Sequence, residues 1–475
     1  MKKISPYNSL YLHFLITVFS VFCIQPIHSQ WIQKPEWAVG SGLAAGFGRQ
    51  TPFWLQSNRY GKYSNNPGFA FVSAEVFSGL PQDERFGIEY GLEMLERYDG
   101  TNELRFQQAW INGRIGFLNL GFGSKEECYD LHESSISSGS LLYSRNARPI
   151  LKLVIATRGY TPVPYTKEYV QFDALLAHGW FGPDEYVKNA WLHQKHFMVK
   201  LGGSLPVNFA MGLRHYAVWA GTSPDTSVGK LPSGLKAFRT VFFSESMDPD
   251  PNVPPNETLN KLGNHLGSWV YSLEFKFAEM EAGLGYETIF EDYSGFSKLL
   301  MRDGLWSAWL KPGKKLTFLE EFRYEFLDTR YQSGTRPDYG MDNFFNHFLY
   351  LSGWTYHGRT LGSPLITSPV LTGQEEWFLV NNRVKAHHLG AAFNFKSTTE
   401  FKILFTHSMN LGTYELPFSN PKGAGSVLAE WNHQPEKWPG WIYGIVLAAD
   451  FGEMYGRNAG IMIRVRKDGR FFSYK

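Results

Sequence analysis

At 475 residues, with 47 glycines, 25 prolines, 16% aromatic and only 19% charged residues, the chain has the composition of many strands joined by many turns and not that of a helical bundle. A formal net charge of +2, with no long Lys/Arg block, excludes the basic field that draws in nucleic acid.

The first element along the chain is a leader. Lys2 and Lys3 precede an apolar stretch from about Leu10 to Phe22 and a polar region ending at Ser29 or Gln30, which reads as a secretory signal peptide over residues 1–30. Its apolar core is shorter than the roughly 18 residues of a spanning helix, and no later segment reaches that length free of charges and turns. Phe22 is bulky where a lipoprotein signal has a small residue, which argues against lipidation at Cys23. With the leader removed only Cys128 remains, so an intrachain disulfide and a zinc–cysteine site are both excluded.

Residues 31–475 read as one domain of strands. Phe86, Ile88, Tyr90, Leu92 and Met94 alternate with Glu89, Gly91, Glu93 and Arg97. Trp269, Tyr271, Leu273, Phe275 and Phe277 share one face, and Ser268, Ser272, Glu274 and Lys276 the other. Phe318, Phe322, Tyr324 and Phe326 likewise oppose Glu321, Arg323 and Glu325. A period of two puts an oily face and a charged face on each strand. Further candidates lie near 37–48, 68–79, 103–124 as a hairpin, 150–157, 168–178, 192–202, 206–218, 279–291, 300–311, 389–396, 400–408, 441–451 and 459–467.

Alternation alone fits a soluble sandwich as well as a membrane barrel. Charged ladders that suit a watery lumen, aromatic strand ends that suit lipid headgroups, and the export signal favour an all-β outer-membrane barrel, and the strand tally approaches an even sixteen to eighteen. Glu320 falls on an oily face, which places it near a rim. The polar stretches 223–264 and 328–388 are too long for tight turns and read as extracellular loops or a plug that obstructs the lumen. No repeat of fixed period is visible, which leaves propellers and solenoids without support.

Local catalytic signatures are absent: no nucleophile elbow, no Walker loop, no dinucleotide fingerprint. His132 and Glu133 begin a zinc pattern, but Ile136 stands where the second His belongs. A dispersed Ser/His/Asp set would be recognised only in three dimensions. His193, His196 and His215 fall on successive strands, yet without carboxylates at fixed spacing lumenal hydrogen bonding explains them better than a metal. No cofactor is expected. Aromatic rings beside polar groups recur in Trp54, Asn58, Arg59 and Tyr60, in His215 and Trp219, in Trp354, Tyr356, His357 and Arg359, and in Trp431 and Trp438. Such clusters can stack on the C–H face of a pyranose and bond its hydroxyls, and they are equally ordinary girdle residues. Ala429 to Trp441 reads as a binding loop or an ordered lid.

Three stretches resemble the capsule assembly Wzi family: Thr51-Pro-Phe-Trp-Leu-Gln-Ser-Asn-Arg-Tyr-Gly61; Leu192-His-Gln-Lys195 with Gly212-Leu-Arg-His-Tyr-Ala-Val-Trp-Ala-Gly221; and Gln332-Ser-Gly, Asn343-Phe-Phe-Asn-His347 and Gly353 to Pro364. The resemblance implies an eighteen-stranded barrel obstructed by loops, a monomer among outer-membrane lipids, that binds capsular or other surface polysaccharide without catalysis. The twelve residues named in the aromatic clusters are its glycan-binding candidates. A diffusion channel is the alternative, favoured by outward-folded loops, and a hydrolase the more distant one.

Overall fold

The computed structural model describes residues 33–471 except 82, 131, 249–256, 259–260, 300–301, 314–317, 335–340 and 374–376. The signal-peptide stretch and Cys23 lie outside the described residues. Eighteen strands form the wall: β1 Glu36–Phe47, β2 Phe69–Ser78, β3 Phe86–Tyr98, β4 Asn102–Ile115, β5 Leu118–Ser124, β6 Leu151–Thr157, β7 Val170–Trp180, β8 Trp191–Leu201, β9 Val207–Trp219, β10 Asn264–Phe277, β11 Met280–Thr288, β12 Gly304–Lys311, β13 Leu319–Asp328, β14 Val384–Phe395, β15 Thr399–Gly412, β16 Pro417–His433, β17 Trp441–Gly452 and β18 Asn458–Arg470. Each pairs antiparallel with its chain neighbour, and β1 closes on β18 from Glu36↔Arg470 to Phe47↔Ala459. Closure leaves no sheet edge, which a hydrocarbon environment demands because nothing there can satisfy unpaired backbone groups.

Parity then assigns the faces. Phe197, Phe209, Trp306, Phe322, Ile403, Leu447 and Ile463 stand exposed on the outer wall. So large an apolar band would be a liability in water and is the solvent-matched surface in lipid. Glu320 sits at the irregularity between Leu319 and Glu321, at the strand end nearest the termini, so the charge reaches the rim as the sequence requires. No helix among the described residues is long and apolar enough to cross a membrane, and the crossing is made by strands. The end bearing the termini has the shorter turns and is taken as periplasmic; the long loops mark the extracellular end.

The inner face differs from the expectation of a watery ladder. Glu321, Arg323 and Glu325 do point inward, but all three are buried. The β5–β6 loop, residues 125–150, runs through the lumen against them: Ser134 donates to Glu321 at 3.0 Å, and Ser137 Oγ and the Ser138 amide donate to Glu325 at 2.8 and 2.7 Å. Gly390 of β14 marks the approach, since a Cβ there would meet the Ile136 carbonyl at 2.5 Å. On the next face round, Glu287 of β11 takes the Arg214 guanidinium of β9, Ser140 Oγ and the Leu141 amide, each at 2.9 Å.

Two further loops enter beside it. The β1–β2 loop, 48–68, carries the one-turn helix α1, Phe53–Gln56, and the β13–β14 loop, 329–383, carries a two-residue hairpin, Thr355–Tyr356 with Arg359–Thr360. The three knit together through Ser144 N to the Leu361 carbonyl (2.8 Å), Ser363 N to the Leu141 carbonyl (3.1 Å) and Asn65 to the Val370 carbonyl (2.9 Å). Gly362 lies at their crossing, where a Cβ would stand 1.8 Å from the Leu141 carbonyl oxygen. Buried Phe53, Leu55, Ile136, Leu141, Phe344, Phe345 and Ile366 make one apolar core inside the wall.

The β9–β10 loop, 220–263, goes the other way. Its helix α2, Leu235–Phe243, folds down over the outer wall and covers Trp219, Ala217 and Trp191 with Ala237 and Val241. Lys195 beneath it donates to the Phe242 carbonyl and lies 4.0 Å over the Phe242 ring. The stretch expected as loop or plug at 223–264 is therefore an external flap, and the one at 328–388 supplies part of the interior.

Candidate functional site

The first and third family-like stretches meet inside the barrel. Arg359 donates to Gln56 Oε1 at 2.8 Å and to the Tyr63 carbonyl at 3.2 Å. Asn58 donates to the Ser138 carbonyl at 2.9 Å, and the Tyr60 amide bonds the Arg145 carbonyl. Tyr356 and His357 form the tip of the hairpin, rings 4.3 Å apart, with the His357 amide on Glu185 Oε1 at 2.8 Å. Burial first, then the Arg148 charge, holds the His357 imidazole down at about 4, so it is neutral at neutral pH.

Other candidates are interior packing. Trp54 is 2% exposed, wedged between Phe53 and His388, with its indole N–H on Thr406 Oγ1 at 2.9 Å. Trp354 is 0% exposed and donates to the Leu142 carbonyl at 2.7 Å. Removing so large a buried ring leaves a cavity, and Trp354→Ala is expected to destabilise the protein by about 3–5 kcal/mol. Thermal unfolding in detergent checks this, and an unchanged midpoint would show that the interior does not depend on that ring. Arg59 reaches down to Glu430 of β16 at 2.8 Å, in a group with Arg464 and Lys402 towards the periplasmic end.

Trp431 and Trp438 sit at the opposite end from the long loops. Ala429–His433 is the end of β16, with Trp431 half-buried on the outer face opposite Phe401, and 434–440 is the turn into β17 with Trp438 58% exposed. The binding loop or lid read there is a strand end and a periplasmic turn. Trp431 with His433, and Trp441 with Tyr443, stack as girdle rings do.

His215 and Trp219 lie on the outer wall under α2. His193 and His215 share that face, whereas His196 points inward to Asp173 at 3.2 Å, because positions three apart on a strand take opposite sides. No three His, Cys, Asp or Glu among the described residues are placed to hold a metal. Ser244 Oγ stands 2.8 Å from His215 Nε2, and that same nitrogen lies 2.8 Å from His265 Nδ1. His265 Nε2 contacts the Leu262 carbonyl, so it carries the proton and Nδ1 accepts. His215 Nε2 must then be the donor, and it cannot also take a proton from Ser244. The arrangement lacks a base for the serine and an orienting group on the other ring nitrogen.

Surface aromatics that the sequence reading passed over complete the extracellular face. Phe348, Trp377 and Phe378 are exposed there, and Trp377 meets half-buried Tyr186 edge-on at 6.0 Å. Tyr186 is tied to the hairpin loop through its amide on Ser352 Oγ at 2.8 Å. Their only signal was an adjacent pair of bulky rings in a polar loop. Arg148, close to His357, links this aromatic strip to the upper wall, where it bonds Glu103 at 2.5 Å.

A closed eighteen-stranded antiparallel wall, oily outside, with three of its own loops folded inside, defines a transmembrane barrel of the outer-membrane type. Residues 46–387 match the family described as capsule assembly protein Wzi, and the chain belongs to that family; its place is the outer membrane. The Escherichia coli Wzi structure, described as an outer-membrane carbohydrate-binding β-barrel involved in group 1 capsule assembly, is similar over 98% of this chain and 89% of its own, with TM-score 0.60 and 12% identity. Pseudomonas aeruginosa OccK5 (OpdH) is similar over 92% and 98%, with TM-score 0.50 and 7% identity. At such identities the likeness is one of fold. No curated protein matches the chain in sequence.

Proposed function

We propose that this protein is a non-catalytic glycan-binding barrel that helps assemble or retain capsular or other exported polysaccharide at the cell surface, after export by its N-terminal signal. The observation that carries the reading is the extracellular face, in a member of a capsule assembly family: half-buried Tyr356 and His357 bond through the His357 amide to Glu185, beside Tyr186 whose ring meets exposed Trp377, and the Arg148 charge acts on His357. Rings supply stacking surface and guanidinium and amide groups supply hydrogen bonds, which is what a sugar needs on its two kinds of surface. Trp54, Trp219 and Trp354 are assigned to packing, and Trp431 and Trp438 to the periplasmic girdle. The inward loops speak against a diffusion channel, although the outward flap at 220–263 is what a channel would also show. The mismatched hydrogen-bond roles at Ser244 leave that serine without a base.

Binding of the detergent-folded protein to a panel of bacterial surface polysaccharides tests this. Saturable binding to at least one polymer is expected, weakened at least about tenfold, or about 1.4 kcal/mol, in Trp377→Ala with Tyr356→Ala. Failure to bind any polymer removes the reading.

A further inference from the structure

The outward flap covers a part of the wall that lipid would otherwise touch. A tilted strand crosses the hydrocarbon in about 9–11 residues. Counted from the periplasmic turn, starting at Leu201 on β8 and Val207 on β9, that span reaches His193 and His215. His193, Lys195, His215 and His265 therefore stand on the outer face within the crossing or at its upper edge, where a polar group meeting acyl chains is costly. Each of them lies beneath the flap. The Phe238 and Phe242 rings of α2 are 5.6 and 5.4 Å from the His193 ring, and Lys195 donates to the Phe242 carbonyl. His215 meets Ser244, just past the helix, at 2.8 Å, and His265 donates to the Leu262 carbonyl at 2.8 Å. A flap that screens this patch from lipid is itself set into the outer leaflet.

The far side of α2 suits that position. The helix buries Ala237, Thr240 and Val241 against the wall, while Leu235, Arg239 and Phe243 follow at four-residue spacing and share the opposite face. Leu235 is 84% and Phe243 60% exposed, with Arg239 exposed between them. Large apolar side chains held out around a guanidinium are a liability in water and fit a bilayer interface, where the apolar groups enter the acyl boundary and the cation stays with the headgroups. The helix descends from Ala237 beside Trp219 at the rim to Phe242 over Lys195, one outward position above exposed Phe197, so its free face continues the lipid-facing wall. The acids of the flap are engaged or turned away from this face. Asp248 is taken by Lys236 at 3.0 Å, Asp225 accepts from the Ser227 amide and hydroxyl, and Glu245 is drawn back by its backbone to Leu262, just above β10. Among the described residues no acid is bonded to Arg239.

We propose that α2 is an interfacial helix inserted into the outer leaflet, with Leu235 and Phe243 among the acyl chains and Arg239 on the phosphate of an anionic lipid headgroup. The inference is independent of the glycan-binding reading. A planar guanidinium meets phosphate oxygens in two-point geometry, and the apolar side chains on either side of Arg239 fix the depth at which it does so. Lipid bound there holds the flap down over the polar patch of the wall.

Phe243 and Arg239 are exposed, so both can be replaced without disturbing the interior. The experiment places a fluorophore on Phe243→Cys in the full-length protein, with Cys23 and Cys128 replaced by Ser, and reconstitutes it in phosphatidylcholine vesicles. Phe197→Cys on the lipid-facing wall and Tyr165→Cys on a fully exposed periplasmic turn calibrate the signal. Lipid brominated on its acyl chains is expected to quench the label at 243 nearly as strongly as the label at 197, and to leave the one at 165 bright. Brominated phosphatidic acid, a phosphomonoester lipid, is expected to quench the label at 243 with about fivefold preference over brominated phosphatidylcholine, the size of effect one basic side chain has at an anionic surface. Arg239→Gln should remove that preference and keep the quenching by phosphatidylcholine, and Arg239→Lys should retain part of the preference. A bright label at 243 beside a quenched one at 197 would show that the flap stands off in water and overturn the insertion. Equal quenching by the two lipids, or a preference that survives Arg239→Gln, overturns the phosphate contact.

Discussion

Glu287→Leu is expected to lower the stability of the barrel by about 3–5 kcal/mol, the cost of stranding a buried partner charge. Glu287 is fully buried and Arg214, its partner at 2.9 Å, is nearly so, with no carboxylate other than Glu287 bonded to it among the described residues. The same carboxylate accepts from Ser140 and Leu141 of the β5–β6 loop, so one substitution frees a cation in the wall and two donors in the plug. Two readouts separate these effects: the thermal midpoint in detergent reports the wall, and limited proteolysis within 125–150 reports the loop. Glu287→Leu combined with Arg214→Met should recover much of the midpoint, because an apolar pair replaces a buried ion pair at little net cost. Loop protection should not recover, since Ser140 and Leu141 still lack an acceptor. A single variant as stable as wild type would mean that water reaches Arg214 and that this part of the lumen is wet.

How the sequence announces this fold depends on which side of the wall a residue sees. Outer positions that cross the hydrocarbon must be oily, so Trp269, Tyr271, Leu273, Phe275 and Phe277 declare their strand by period two alone. Inner positions bond whatever the loops bring, and Glu321, Arg323 and Glu325 read the same whether they face water or serines; nothing local distinguishes a watery ladder from a plug anchor. β16 escaped notice for a related reason. Pro417, Pro421, Gly423 and Gly425 are turn residues by type, yet Gly425 belongs in the strand because the Phe451 ring of β17 occupies the place of its side chain, 2.0 Å from a Cβ. Small residues answering large ones across a ladder is a pattern of pairs, invisible along one strand.

The candidate site was legible in its parts and not in its roles. Asn58, Tyr60, Tyr356, His357 and Arg359 do converge, but Trp54 and Trp354, the rings that look best suited to stack on sugar, are the ones packing consumes. Aromatic residues are large enough to hold an interior of loops together, and a single sequence does not say which rings serve that end. The exposed rings Trp377 and Phe378 lacked the neighbouring Arg or His that drew attention elsewhere. The direction in which a loop folds was equally hidden: 220–263 goes outward because Ala217 and Trp219 present an apolar outer wall above the strand's exposed rows, and Ala237 and Val241 of α2 fit it.

Replacing residues 126–149 by a short Gly-rich turn is expected to turn a closed barrel into a conducting one. The junction is geometrically easy, because Ser124 and Leu151 are cross-strand partners at the ends of β5 and β6 and their remaining ladder is untouched. The wall is closed by its own backbone pairing, so it should still form, at lower stability, since Ile136, Leu141 and Leu142 leave the interior core. What remains facing the lumen is Glu287 with Arg214 and the Glu321–Arg323–Glu325 ladder, charged groups that would then be hydrated and line a path for ions. In planar bilayers the intact protein should give no steady ion current and the shortened one discrete conductance steps. Loss of glycan binding should accompany them, because the segment removed carries Arg148 and supports the hairpin bearing Tyr356 through Ser144 on Leu361. If the shortened protein folds and stays silent, the β1–β2 and β13–β14 loops close the lumen without it. Steady current through the intact protein would instead mean that the loops leave a continuous aqueous path, and the channel reading would replace the glycan-binding one.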